Sequence, residues 1–131
     1  MRKLLIFLVC ALGFTQVNWE IEIVDSVPEP GHHHDFRFNS LAIDSNGITH
    51  IVYNKDEFEK IAHASRINGI WQKDTVESEL YLCYGFSLIL DDNSVPNLSY
   101  ACKFDSLGKT YICYAYRQSN VWFINTVDSI T

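Results

Sequence analysis

Residues 40–53 of the chain read SLAIDSNGITHIVY, and residues 87–100 read SLILDDNSVPNLSY. Each residue of the second stretch lies 47 positions after its counterpart in the first, with no gap. In both stretches a short apolar run is followed by an Asp- and Asn-rich tetrapeptide and then by a run that ends in Tyr. Asp accepts backbone hydrogen bonds in turns, and Asn and Gly tolerate a positive φ. The pattern therefore predicts two β-hairpins of one design, with Asp44 and Asp91 as structural turn residues.

A second motif, W-x4-V-[DE]-S, begins at each Trp of the chain. Its copies start at Trp19, Trp71 and Trp122, which are 52 and 51 residues apart. Between each hairpin and the Trp motif that follows it lies one more apolar, strand-like stretch. Turn residues recur every 8–12 positions or so, as in antiparallel sheets of short strands. The sequence therefore predicts two units of four antiparallel strands, over residues 36–77 and 84–128.

Repeating four-stranded units of this length are typical of β-propeller blades. One such unit cannot bury both of its faces alone, so neighbouring units must stack. On this hypothesis the first strand of each unit is buried on both faces, and the Trp strand is the outer one, with its indole against the next blade. Tandem β-sandwich domains are the alternative architecture, but they do not explain the regular repeat. The structural residues expected in the repeat include Tyr53 and Tyr100 as well as the three Trp residues.

Here the chain resembles a known family. The string from Ser40 to Tyr53, followed by a W-x4-V-D strand, resembles the tandem repeats of secreted bacterial and archaeal β-propeller proteins. Those repeats are loosely similar to Asp-box (sialidase-type) and WD-repeat propellers. The resemblance covers residues 17–131 and implies an all-β propeller fold, on which many functions occur. The chain departs from an Asp box because no Trp follows the turn at the expected place and Ser94 replaces Gly47. The resemblance therefore implies no sialidase activity.

The number of units is too small for a complete ring, since propellers contain about 4–8 blades. A single outer strand is expected over residues 19–25, and the C-terminal end supplies no sheet for it because that end carries its own outer strand. The expected architecture is a partial propeller of two blades plus an orphan N-terminal outer strand. Ring closure then needs missing blades or self-association. A truncated piece of a longer propeller is the favoured hypothesis, and assembly of several copies is the alternative.

The N-terminus predicts export. Residues 1–3 carry two basic side chains, and residues 4–14, LLIFLVCALGF, contain no charge. A basic start followed by an apolar run of this length is typical of a secretory signal peptide, here over about residues 1–16. The run is shorter than the roughly 20 residues that span a bilayer, so no transmembrane segment is expected in the mature chain. A buried N-terminal strand is the alternative, and the predicted location is secreted or in the cell envelope.

Composition narrows the class of partner. Asp and Glu number 16 against 10 Lys and Arg, so the formal net charge is −6. A nucleic-acid binder that relies on phosphate contacts usually has the opposite sign. Apolar residues make up 47% of the 131 residues, which excludes a disordered chain. The expected partner is a protein or a glycan that the sequence does not specify, and not a nucleic acid.

Few residues suggest chemistry. His32, His34 and Asp35 are candidate metal ligands, but adjacent residues cannot all point at one ion and no further ligand is identifiable. A solvated loop is therefore favoured, and no cofactor is expected. No nucleophile elbow, zinc-protease helix or phosphate-binding loop is present, so no catalytic residue is assigned.

These observations predict a non-catalytic binding or scaffolding module. The alternative is a carbohydrate-binding, lectin-like module or a fragment of a sialidase-type glycoside hydrolase. A sialidase site would need a cluster of Arg side chains, and nothing in the sequence shows that Arg37, Arg66 and Arg117 converge.

Three cysteines remain after the predicted leader. Cys102 and Cys113 flank a hairpin centred on Leu107 and Gly108, which predicts that they lie opposite each other. Cross-strand neighbours can meet disulfide geometry, and export permits oxidation. A disulfide between them is one hypothesis and free thiols are the other. Cys83 is then the odd cysteine and is expected to be buried.

Overall fold

A computed structural model of the chain describes residues 19–26, 38–55, 60–77, 82–103 and 108–130. The strands are β1 (Asn39–Ile43), β2 (Thr49–Lys55), β3 (Lys60–Ile67), β4 (Ile70–Glu77), β5 (Leu82–Leu90), β6 (Pro96–Lys103), β7 (Thr110–Gln118) and β8 (Val121–Ile130). They form two four-stranded antiparallel sheets, each with its strands in chain order. The first sheet contains β1 to β4 and the second contains β5 to β8, so the two predicted four-stranded units are confirmed.

The first hairpin of each sheet closes through the same turn. Asp44 Oδ1 accepts hydrogen bonds of 2.8 Å from the backbone N–H groups two and four residues later. Asp91 Oδ1 accepts the two equivalent bonds at 2.9 Å. The residue three positions after each Asp has a left-handed conformation, with φ of 79° at Gly47 and 63° at Ser94. The turn therefore depends on one carboxylate and on one residue that tolerates a positive φ.

The two sheets stack face to face around a shared core. The buried apolar residues come from both sheets: Val52, Ile61, Val76, Cys83, Leu88, Leu98, Tyr100, Cys102, Cys113 and Ala115. Hydrogen bonds also join the sheets, because Leu88 N donates to Ser40 Oγ at 3.0 Å and Asn54 Nδ2 donates to the Cys83 carbonyl at 3.2 Å. Burying a Leu, Ile or Val side chain of this kind contributes about 1.5–3 kcal/mol. The sheets are therefore one packed body and not two independent domains.

The first strand of each sheet is less buried than the sequence predicts. Leu41 and Ile43 on β1 are 56% and 62% exposed, and Ile89 on β5 is 63% exposed. The expectation that these strands are buried on both faces is therefore wrong for this chain. Two stacked sheets share one interface, and the outward-facing side chains of β1 and β5 have no sheet against them among the described residues.

Residues 19–26 lie against the first sheet but form no strand. The predicted outer strand over residues 19–25 is therefore not present as a strand. A strand needs a neighbour that pairs with its backbone, and this segment is held by side-chain contacts instead. A cleft of about 300 Å³ is lined by residues 22–25 of this segment and by Ile51 and Tyr53 of the first sheet. The predicted leader, residues 1–16, lies outside the described residues.

No membrane-spanning segment was expected in the mature chain. The described part of the chain contains no helix that could cross a bilayer.

Candidate functional site

The polar centre of the interface between the sheets is a cluster of five side chains, which we call the inter-sheet clamp: His50, His63, Asp74, Arg117 and Trp122. The first three belong to the first sheet, and the last two reach across from the second. Asp74 is the common acceptor. Its Oδ1 accepts from His63 Nδ1 at 3.1 Å and from Trp122 Nε1 at 3.3 Å, and its Oδ2 accepts from Arg117 at 2.7 Å.

The two imidazoles of the inter-sheet clamp form a hydrogen-bonded pair. His50 Nδ1 lies 3.1 Å from His63 Nε2, and the rings stack with centroids 5.3 Å apart. With both rings neutral, His63 donates through Nδ1 to Asp74 and accepts through Nε2 from His50. His50 Nε2 is then a lone-pair acceptor, and this atom is buried without a hydrogen-bond partner. One more proton can bind at His50 Nε2, but this atom is buried and has no hydrogen-bond partner to stabilise the added charge.

Burial and charge shift the acid–base behaviour of this cluster. Desolvation, followed by the positive charge that His63 can carry, lowers the pKa of His50. Burial opposes ionisation of Asp74, but the His63 hydrogen bond and the charges of His63 and Arg117 outweigh it and lower the pKa of Asp74. Asp74 is therefore an anion at neutral pH, and His50 is neutral.

This histidine–carboxylate chain resembles an acid–base relay in its connectivity, but its position differs from that of a catalytic site. His63 is 1% exposed and His50 is 7% exposed. A general base must come within hydrogen-bond reach of the substrate proton. Both imidazoles lie under the second sheet, so the cluster holds the sheets together instead of facing a substrate.

A second cluster has the same design on the opposite face of the first sheet. We call it the N-terminal clamp: Glu22, Arg66 and Trp71. Arg66 donates to Glu22 Oε1, and Trp71 Nε1 donates to Glu22 Oε2 at 3.3 Å. In both clamps a Trp and an Arg of one sheet bind a carboxylate from the preceding part of the chain. The Nε atoms of both Arg side chains are buried without a hydrogen-bond partner.

The two clamps occupy equivalent positions of the repeat. Arg66 and Arg117 each precede the Trp of their motif by five residues, and Glu22 and Asp74 each follow a Trp by three. Sequence reasoning missed these roles, although a basic residue and an acceptor at fixed distances from Trp were visible. Asn125 holds the third acceptor position, three residues after Trp122, and is exposed.

A neighbouring carboxylate strengthens the contact of residues 19–26 with the first sheet. Asp25 accepts from Tyr53 Oη at 2.8 Å, from Lys55 Nζ at 3.1 Å and from Lys73 Nζ at 2.7 Å. Burial alone would raise the pKa of Asp25, but these three donors lower it well below its ordinary value. The counterpart of Tyr53 in the second sheet, Tyr100, is 2% exposed and belongs to the core.

The direction of the Trp side chains corrects one expectation. The indole of Trp122 lies against His63 of the first sheet, with ring centroids 5.5 Å apart. Trp71 points to Glu22, away from the second sheet. Each indole thus contacts the part of the chain before its own sheet, not the next one as predicted. Trp19 is 92% exposed.

The cysteines also differ from the predicted geometry. Cys102 pairs with Tyr111 and Cys113 with Tyr100, so the two cysteines are diagonal neighbours and not directly opposite. Their sulfurs are 3.4 Å apart, and both are free thiols, as is Cys83. The predicted register is wrong because the hairpin pairing is shifted by two residues. Of the two hypotheses for these cysteines, a disulfide or free thiols, this structure has the free thiols.

The three thiols form one buried row across β5, β6 and β7. Cys83 pairs directly with Cys102 in the β5–β6 ladder. The Cys102 hydrogen bond and then burial raise the pKa of Cys83, and burial raises the pKa of Cys113 to about 12. The Cys83 contact lowers the pKa of Cys102. The row behaves as a set of small apolar core residues with Cys102 at its centre.

The remaining candidates are the metal ligands and arginines named from the sequence. His32, His34, Asp35 and Arg37 lie outside the described residues. Among the residues that are described, no three His, Cys, Asp or Glu side chains are arranged to hold a metal ion. Arg66 and Arg117 bind different carboxylates on opposite faces of the first sheet, so they do not converge.

Known proteins offer no further guide. Comparisons with protein-family models, with curated proteins and with solved structures found no match. The function of the chain is therefore inferred from the geometry of its two clamps.

Proposed function

We propose that the chain is an exported repeat module of the β-propeller type that binds or scaffolds and does not catalyse. The observation that carries the proposal is the repeated clamp: Trp71 binds Glu22 as Trp122 binds Asp74. In the first sheet, Trp71 and Arg66 lie on the back face, which is turned toward residues 19–26, and Asp74 lies on the front face, which is turned toward the second sheet. Such a contact is heterologous, so it continues from unit to unit until a ring closes.

The polar chemistry supports a structural use of the conspicuous side chains. The inter-sheet clamp is occupied by contacts between sheets, and the turn carboxylates of Asp44 and Asp91 are occupied by backbone N–H groups. A complete ring needs about four units or more. In the truncated-propeller hypothesis, further repeats of the same kind supply the missing units. In the alternative, further copies of this chain supply them.

Adding one unit to the chain tests this architecture. A three-unit chain is made by appending a second copy of residues 82–130, so that the added Trp and Arg face Asn125. The added sheet should unfold together with the others in one cooperative transition, because neighbouring repeats stabilise each other through their interface. Asn125→Asp should raise the stability of the three-unit chain, since Asp is the acceptor at position 74. An added unit that melts separately would contradict the proposal.

Export is tested by expression of the full chain in a secreting host. The exported product should lack about the first 16 residues by intact mass, as the predicted leader requires. A product that stays inside the cell at full length would contradict the export proposal and leave the architecture untouched.

A glycan-binding module is the second candidate, and one feature favours it. Tyr114, Tyr116 and Phe123 form a stack on the exposed face of the second sheet, with ring centroids 5.8 Å and 5.4 Å apart. Exposed aromatic rings beside amides can pack against sugar rings and bind their hydroxyls. A glycan array with Phe123→Ala as the matched variant tests this, and a glycosidase screen tests for turnover. Turnover of any glycan would overturn the non-catalytic proposal.

A further inference from the structure

Two exposed apolar surfaces lie at opposite ends of the stack. The front face of the second sheet consists of Asn97, Tyr114, Tyr116, Phe123 and Asn125, and it points away from the first sheet. Tyr114 is 38% exposed and Phe123 is 43% exposed. Tyr114 donates a hydrogen bond to Asn97 Oδ1, which fixes its ring at the surface.

The second surface is a row of side chains at the other end. Trp19, Ile21 and Ile23 are 92%, 93% and 84% exposed. We call them the N-terminal row. Their segment is anchored through Glu22 and Asp25, which face the first sheet. The three side chains of the N-terminal row are therefore exposed to solvent while Glu22 and Asp25 hold their segment on the first sheet.

The repeat positions match the two surfaces to each other. Trp19 is the counterpart of Trp71 and Trp122, and each of these two donates to the acceptor three residues after the preceding Trp. The acceptor that is exposed is Asn125 on the front face. Tyr114 faces Asn125 across β7 and β8 as His63 faces Asp74 across β3 and β4. The ring under Trp122 is His63, so the ring expected under Trp19 is Tyr114.

We propose that the front face of one copy binds the N-terminal row of a second copy, head to tail. Trp19 Nε1 donates to Asn125 Oδ1, and the indole packs on Tyr114. The occupant is a second copy because both sheets separate the two surfaces within one chain. The contact continues the interface already present between the two sheets. The proposal rests on the proposed function, in which the units are equivalent. It also gives residues 19–25, the predicted orphan outer strand, a binding partner.

Sedimentation velocity over a concentration series tests the contact on the full chain. The weight-average mass should rise with concentration, because a heterologous contact is open-ended or closes a ring. Trp19→Ala and Asn125→Leu should each weaken the association constant about tenfold or more, as expected for a buried Trp at an interface. Ile43→Ala is the matched control, since Ile43 is 62% exposed but lies outside both surfaces. Circular dichroism confirms that each variant is folded.

Two single variants, one on each surface, test whether these two surfaces bind each other. Trp19→Lys and Tyr114→Glu should each be monomeric alone, and an equimolar mixture should regain a dimer because the intact front face of Trp19→Lys can bind the intact N-terminal row of Tyr114→Glu. A chain that stays monomeric up to about 100 μM, or a mixture that regains nothing, overturns the proposal. Glycan binding that is lost in Tyr114→Glu while the chain is monomeric also overturns it. The three-unit chain distinguishes a failure of this contact from a failure of the proposed function, since it tests stacking of units without any contact between copies.

Discussion

Trp122 and Asp74 belong to different sheets, and the indole Nε1 of Trp122 lies 3.3 Å from Oδ1 of Asp74. Trp71 makes the same contact with Glu22, at the same distance of 3.3 Å. In both contacts the carboxylate lies three residues after the preceding Trp, so the same donor and acceptor arrangement occurs twice in the chain. The interface has a direction, because the donors lie on one face of a unit and the acceptor on the other.

Asp74→Ala should destabilise the chain strongly. The substitution leaves His63 Nδ1 and the Arg117 guanidinium without their acceptor at the interface, which costs about 2–3 kcal/mol. Asp74→Asn, the residue present at position 125, should cost less, because the amide oxygen still accepts one hydrogen bond. Urea unfolding followed by Trp fluorescence measures both. Equal stability of Asp74→Ala and the parent chain would show that the clamp does not hold the sheets together.

The free energy of unfolding should decrease on mild acidification because His50 becomes protonated. The pKa of His50 is lower in the folded chain than its ordinary value of about 6.5, so the unfolded chain binds more protons. The contribution of neutral His50 is therefore complete above pH of about 7 and is lost as the pH falls through its folded pKa. The groups around it are His63, Asp74, Arg117 and Asp44.

His50→Asn removes this titration and should flatten the stability curve between about pH 7 and pH 5. Its matched control is Asn97→His at the equivalent position of the second sheet, which has no sheet over it among the described residues and should keep the parent slope. Unfolding free energies at several pH values, each from a urea titration, give the comparison. A parent curve that is flat over this range would contradict the prediction.

The sequence predicts the strands of this fold well because the turns depend on local chemistry. Asp44 binds N–H groups two and four residues away, so the turn is determined within a segment of five residues. The four strands of each unit follow from such turns and from apolar runs between them. The spacing of Trp residues likewise follows from the length of one unit.

The candidate site depends on contacts between the two sheets, and the sequence does not show which faces of the sheets meet. Asp74 lies 48 residues from Trp122, and its acceptor role depends on which face each sheet turns to the other. The pairing of Cys102 with Tyr111 depends on a two-residue shift in the hairpin, which a symmetric turn does not reveal. A fixed spacing of Arg, Trp and an acceptor indicates the clamp only after the stacking direction is known.

The turn of the second sheet leaves room for a stabilising substitution. Ser94 has a φ of 63°, whereas Gly47 holds the equivalent position of the first sheet with a φ of 79°. A non-Gly residue in this region costs about 1 kcal/mol, so Ser94→Gly should raise the free energy of unfolding by about 0.5–1 kcal/mol after its entropic cost.

Gly47→Ser is the reciprocal control and should lower stability by a similar amount. Open space surrounds the position a Cβ would take at Gly47, so the loss would report backbone conformation alone. Thermal unfolding of the two variants and the parent measures both effects. A loss of stability in Ser94→Gly would show that the Ser94 side chain contributes more than its backbone strain costs.

The three buried thiols should be unreactive until the chain unfolds. Cys83, Cys102 and Cys113 are all 0% exposed, so a reagent cannot reach Cys102 even though its pKa is lowered, and burial raises the pKa of Cys113 to about 12. Thiolates are the reactive species, so a thiol reagent at pH of about 8 should react at least about 100-fold more slowly with the folded chain than in denaturant.

A Cys10→Ser background removes the fourth cysteine from the count. In denaturant this background should then titrate as three thiols, since the structure holds all three in the free form. A titre of one would instead show that Cys102 has formed a disulfide, and Cys83→Ala and Cys113→Ala would identify its partner by the variant that restores two free thiols.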